Sequence, residues 1–133
     1  MMYAVIRIRG TIGARREIRD TLKMLNLLRI NSCTIIPETP SYKGMLQKVK
    51  DYVTWGEASD ETLALLLKRN GVENVEEAIK KLKEGVKLKD ITNPCIRLHP
   101  PRKGYKSIKK PFSMGGSAGY RGDAINELVR RMI

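Results

Sequence analysis

The chain has 133 residues, with 26 Lys+Arg against 14 Asp+Glu and a formal net charge of +12. One domain is the expectation at this length, and an anionic partner is expected because self-repulsion at this charge costs stability. Two distant cysteines, Cys33 and Cys95, and a single histidine, His99, argue against a disulfide framework, a metal site or any cofactor, and no apolar run is long enough to span a membrane.

Met1 leads straight into strand-like sequence, so no signal peptide is expected and the setting is read as reducing and cytoplasmic. From Tyr3 to Arg9, Ala4, Ile6 and Ile8 alternate with Arg7 and Arg9, the pattern of a strand with one buried face. Gly10 to Gly13 turns the chain into a helix with Ile18, Leu22, Leu25 and Leu28 inward and Arg15, Arg16, Arg19 and Lys23 outside that stripe. A second strand over Cys33–Ile36 ends at Pro37, and a second helix begins at Ser41 and carries Met45, Leu46, Val49, Tyr52 and Val53 on one side. Past Trp55-Gly56, Ser59 caps a helix with Leu63, Leu66 and Leu67, which stops at Asn70-Gly71. Asn74 with Glu77 then opens another, with Ala78, Ile79 and Leu82 inward, that closes at Gly85. Ile96 and Leu98 alternate with Arg97 and His99 in a third strand. Asp123 is read as the cap of a last helix with Ile125, Leu128, Val129 and Met132 inward.

This order predicts an α+β fold in which helices cover one face of a three-stranded sheet. The other face is then open and displays Arg7, Arg9, Arg97 and His99. The chain divides into a core (2–55 and 94–99), a helical insertion (56–93), and a basic loop with the C-terminal helix (100–133).

Charge follows the same division. Residues 1–55 hold 10 Lys+Arg against 4 Asp+Glu, residues 56–90 hold 7 against 8, and residues 91–133 hold 9 against 2. The two basic ends form the expected binding surface, and the acidic middle is expected to face away from it. Between Ile91 and Gly122 there is no acid at all, only Arg97, Arg102, Lys103, Lys106, Lys109, Lys110 and Arg121, interrupted by prolines and glycines. A stretch this basic and this poor in apolar residues needs an external surface to order it, and RNA, a shaped polyanion, fits best. Tyr105, Phe112 and Tyr120, interleaved with the cations, suit base stacking. The Gly10–Gly13 turn is read first as a tight strand-to-helix connection, and a phosphate at its helix N-terminus beside Arg15 and Arg16 is the weaker reading, because the Lys-Ser/Thr ending of a P-loop is missing. His99 has no Ser, Cys or Asp arranged with it as nucleophile or base, so no catalytic residue is named.

Three segments carry a family resemblance. Tyr3-Ala4-Val5-Ile6-Arg7-Ile8-Arg9-Gly10, then Pro37-Glu38-Thr39-Pro40-Ser41-Tyr42-Lys43-Gly44-Met45 running on through Gln47-Lys48 to Val53, and Arg97-Leu98-His99-Pro100-Pro101-Arg102-Lys103-Gly104 follow one another in the right order. Together they resemble archaeal members of the large-subunit ribosomal protein thirty family, whose eukaryotic counterpart is large-subunit protein seven. The resemblance implies a β-α-β-α-β core of half-ferredoxin type with an antiparallel sheet of order 3-1-2. It also implies binding to large-subunit ribosomal RNA without catalysis, with neighbouring ribosomal proteins as further contacts. The eukaryotic N-terminal basic arm is missing, and the segment from Trp55 to Ile91 looks shorter than in many archaeal relatives. Lys43 and Lys48, inside the second segment, join the RNA-binding candidates. Two other readings stay open: a ribosome-assembly factor of the same fold, and a small acylphosphatase-like hydrolase, whose phosphate cradle is matched only loosely because the turn lacks its Gln and Phe.

Overall fold

The computed structural model describes residues 2–10, 15–27, 29–85, 96–99, 116 and 118–133. In chain order the elements are β1 (Met2–Arg7), α1 (Arg16–Met24), β2 (Ser32–Pro37), α2 (Pro40–Lys48), β3 (Val53–Glu57), α3 (Asp60–Arg69), α4 (Val75–Lys83), β4 (Ile96–Arg97), β5 (Gly119–Tyr120) and α5 (Ala124–Met132).

The sheet is mixed and five-stranded, in the order β4-β2-β1-β3-β5. The central strand β1 runs antiparallel to β2, with Ala4 opposite Ile35, and antiparallel to β3, with Val5 opposite Trp55. β4 extends the sheet antiparallel to β2, and β5 adds a short parallel strand beside β3. The α+β reading therefore holds, and the central antiparallel strands stand as β3-β1-β2, but the sheet has five strands and the third strand of that unit is not the expected Ile96–Leu98. The strand beside β1 is Val53–Glu57, which periodicity assigns in part to the second helix. Ile96–Arg97 lies one strand further out, against β2. Tyr52 and Val53 fit the helical stripe of α2 by spacing alone, but a β-branched and aromatic run (Val53, Thr54, Trp55) favours a strand once a partner edge exists.

Both faces of the sheet are covered, which corrects the open-face expectation. Every residue of β1 is buried. Met2, Ala4, Ile6 and Ile8 pack with Cys33, Ile35, Ile96 and Leu98 beneath α3, α4 and α5, whose inward residues include Leu63, Leu66, Leu67, Leu82, Ile125, Leu128 and Met132. Tyr3 and Val5 pack on the opposite side with Ile36, Val53 and Trp55 beneath α1 and α2, through Leu22, Leu25, Leu27, Leu46 and Val49. A strand buried on both sides carries apolar residues at nearly every position, and Met2–Ile6 has none that is charged. The boundary drawn at residue 56 falls inside β3, and the two helices after it join α5 in covering one face of the core.

The local signals are mostly where the sequence puts them. Ser59 accepts from the Thr62 amide at 3.3 Å, and Asn74 accepts from the Glu77 amide at 3.3 Å while its own amide donates to the Glu77 carboxylate at 2.8 Å. Helix α3 ends with Gly71 at φ +84° and the Val72 amide on the Leu67 carbonyl at 3.0 Å. Helix α1 ends in the same way, with Asn26 at φ 62° in place of glycine and Leu27 donating to Leu22 at 2.9 Å. Two helix starts differ from expectation. α2 begins at Pro40, one residue before Ser41, and Thr39 caps it. Asp123 makes no side-chain cap, and Asn126 instead ties α5 to β3 and α3 by donating to the Glu57 carbonyl at 3.2 Å and accepting from the Ser59 amide at 3.0 Å.

Gly56 marks the tightest approach. A Cβ there would collide with the Gly122 carbonyl and lie 2.9 Å from Ile125 Cβ. Gly56→Ala is expected to destabilise the protein by about 2–4 kcal/mol in urea unfolding, because the β3–α5 contact must open to admit one methyl group.

Candidate nucleic-acid interface

Arg7, named with Arg9, Arg97 and His99 for an open sheet face, is buried instead. Only 7% of its surface is exposed, and its guanidinium donates to the Leu27 carbonyl at 3.1 Å and the Arg9 carbonyl at 3.1 Å. The odd-numbered face of β1 lies under α1, so the side chain turns into the loop after that helix and satisfies carbonyls there. Burial pulls its pKa below the ordinary arginine value, the cost of desolvating the charge. Arg7→Met is expected to cost about 2–4 kcal/mol of stability, since buried carbonyls lose their donors, with RNA affinity per folded molecule unchanged. Chemical denaturation with a parallel binding titration checks both halves.

The remaining candidates fall into separate groups around the molecule. Arg9 sits over the Tyr52 ring, 5.4 Å from its centre, just past the end of β1. Arg15 and Arg16 are exposed at the start of α1, and Arg16 faces Asp20 at 3.7 Å in a solvated pair of little energetic weight. Residues 11–14, on which the phosphate-turn reading rests, lie outside the described residues. Lys43 and Lys48 are exposed on α2, with Lys43 held by Glu38 at 3.2 Å. Arg102, Lys103, Lys106, Lys109 and Lys110 all lie outside the described residues, as do Tyr105 and Phe112.

Arg121 stands at the β5 edge. Its Nε donates to Thr54 Oγ1 at 2.8 Å, and the Thr54 hydroxyl in turn donates to the Gly119 carbonyl at 2.8 Å. Beside it Tyr120, about half exposed, leans on Trp55 and Tyr3 at 6.3 and 6.5 Å between ring centres. These three rings with Lys43 and Gln47 line a shallow pocket of about 240 Å³.

Glu38 links this region electrostatically. Lys43 and then Tyr3 hold its carboxyl below the usual carboxylate range. Burial, reinforced by the hydrogen bond to Glu38, pushes the Tyr3 hydroxyl up to about 12 from 10.0. The neutral phenol is the form the fold prefers, so this contribution is complete below pH 10 and is lost as pH rises from 10 towards 12. Two units correspond to roughly 2–3 kcal/mol. Denaturation at a series of alkaline pH values should show a shallower loss of stability across that window in Tyr3→Phe than in the parent.

At the opposite edge, β4 carries Arg97 and is followed by His99, both exposed. The sequence pairs them with Arg7 and Arg9, but the structure pairs them with Arg69 from the last turn of α3. Arg69 Nε donates to the Arg97 carbonyl at 3.3 Å, and its Nη2 lies 3.1 Å from His99 Nε2. The His99 amide donates to the Met132 carbonyl at 2.9 Å, which docks this edge on α5. Sequence reasoning misses Arg69 because the segment around it is acidic. Its place in the last turn before Asn70-Gly71, where a cation meets the negative end of the helix, is the one signal it carries.

The whole defines a class: a small basic α+β protein with a two-sided core and cations at both edges of its sheet. A family model described as Ribosomal protein L30p/L7e matches residues 3–53, from β1 to the first residue of β3. The chain is 49% identical to the large ribosomal subunit protein uL30 of Methanosphaera stadtmanae over 99% of its own length and all of that protein. It is 47% identical to uL30 of Methanococcus maripaludis over the full length of both, and 48% identical to uL30 of Methanopyrus kandleri over 95% of this chain and all of the relative. The chain belongs to the ribosomal protein L30p/L7e family.

Proposed function

We propose that this chain is a structural, non-catalytic constituent of the large ribosomal subunit, of the archaeal type, and that it binds large-subunit ribosomal RNA as a single domain. The observation that carries this reading is the end-to-end likeness to archaeal proteins named for that subunit, at 47–49% identity over alignments that span the whole of those relatives. The chemistry agrees with it. A charge of +12 is accompanied by four salt bridges among the described residues, each with at least one partner more than half exposed, so these pairs compete little with phosphate.

The RNA contacts proposed are the edge cations Arg97, His99 and Arg121, the outward Arg9, Arg15, Arg16, Lys43 and Lys48, and the basic segment with Arg102, Lys103, Lys106, Lys109 and Lys110. Arg7, being buried, is outside this set. Neighbouring ribosomal proteins are further contacts, and no cofactor or small-molecule substrate is invoked. Nothing in the geometry favours the assembly-factor or acylphosphatase-like readings. Among the described residues no helix is long and apolar enough to cross a membrane.

The test is sedimentation after a high-salt wash. The protein is expected to remain in mature large subunits at about one copy each. Recovery only with precursor particles would point to an assembly factor instead, and release into the free fraction would count against a structural constituent.

A further inference from the structure

Arg69, Arg97 and His99 come together from two parts of the chain that differ in charge, and the bonds among them fix what they offer. Arginine only donates, so the 3.1 Å contact between Arg69 Nη2 and His99 Nε2 makes that imidazole nitrogen the acceptor. The proton of the neutral ring then sits on Nδ1, which is left as a donor. Arg69 Nε is spent on the Arg97 carbonyl at 3.3 Å, which with the His99 contact fixes the orientation of the guanidinium. The Arg97 side chain is exposed, and neither arginine has an acidic partner among the described residues. The backbone beneath is tied on two sides, with the Leu98 amide on the Asn31 carbonyl at 3.1 Å and the His99 amide on the Met132 carbonyl at 2.9 Å.

The side chains of this array are donors toward solvent, on backbone anchored to β2, α3 and α5. We infer that Arg69, Arg97 and His99 form a preorganised site for one RNA backbone phosphate, so that the helical segment 56–93 contributes to the RNA surface through Arg69. Guanidinium groups and an imidazole N–H are donors suited to phosphate oxygens, and contacts to phosphate fix the position of an RNA without reading its bases. As a phosphate site it therefore positions the RNA. The inference rests on the ribosomal RNA reading, and it reverses the expectation that the acidic middle of the chain faces wholly away from RNA.

His99 is the only histidine in the chain, which gives the site its own spectroscopic reporter. The full-length protein would be titrated with large-subunit ribosomal RNA at several salt concentrations, alongside Arg97→Gln and Arg69→Gln. Arg97→Gln removes only an exposed side chain, so its melting temperature should match the parent. Its plot of log affinity against log salt should be shallower by roughly 0.7–0.9, the change for one lost phosphate contact. The imidazole resonances of His99 should shift on adding RNA to the parent and shift less in Arg97→Gln. Arg69→Gln should reduce affinity and the salt slope in the same direction, and a change in its melting temperature would leave the Arg97→Gln comparison decisive. Parent-like slope and affinity in Arg97→Gln, or a His99 signal indifferent to RNA, would overturn the site while leaving RNA binding elsewhere intact. If the parent itself failed to bind the RNA, the ribosomal reading and this inference would fall together.

Discussion

The burial of β1 on both faces is the constraint from which the rest of the architecture follows. A strand with Met2, Tyr3, Ala4, Val5 and Ile6 all removed from water needs apolar cover above and below it, and no arrangement with one bare face supplies that. α1 and α2 cover the side of Tyr3 and Val5. α3, α4 and α5 are drawn from the chain beyond β3 to cover Ala4, Ile6 and Ile8. The helical insertion and the C-terminal helix are therefore parts of the core. Gly56 and Asn126 matter for the same reason, as the points where β3 and α5 close on each other.

A sheet filled on both faces displays its chemistry at its edges and on its helices. Arg7, in the interior, answers backbone carbonyls, while Arg97 and His99 at one edge and Arg121 at the other remain outward. The two edges are built differently. At β5, Arg121 is held through Thr54 beside the Tyr3–Trp55–Tyr120 rings, and two of those rings are nearly covered, so this edge is stiffened by aromatic packing. At β4, only a two-residue strand is present among the described residues, and Arg69 from α3 holds it. A surface of this kind suits shape and charge recognition of RNA, in which many modest phosphate contacts set position and none needs to read a base.

The elements legible in the sequence are those fixed by local chemistry. The helices over 60–69 and 75–83 follow from Ser59, Asn74, Gly71 and Gly85 together with leucines at helical spacing, and neighbours only reinforce such signals. The strand over Val53–Glu57 is hidden because Tyr52 and Val53 also continue the stripe of α2, and period alone does not separate the two over so short a run. Three of the site residues illustrate the same limit. Arg97 and His99 are visible as exposed strand positions, since alternation with Ile96 and Leu98 places them outward. Arg69 is not, because its net-acidic segment says nothing about which strand edge its side chain reaches.

By itself the sequence determined the α+β class, the positions of most helices with the caps of α3 and α4, the outward places of Arg97 and His99, the surplus of positive charge and, through three ordered segments, the family. These depend on residues close together in the chain, where spacing and side-chain type settle the outcome. Strand order, cover on the second face, the burial of Arg7 and the meeting of Arg69 with His99 were decided only by the tertiary structure. Each depends on which of several apolar surfaces pack together, a choice made by total buried area and carbonyl satisfaction across the molecule, with no signature in any one stretch of chain.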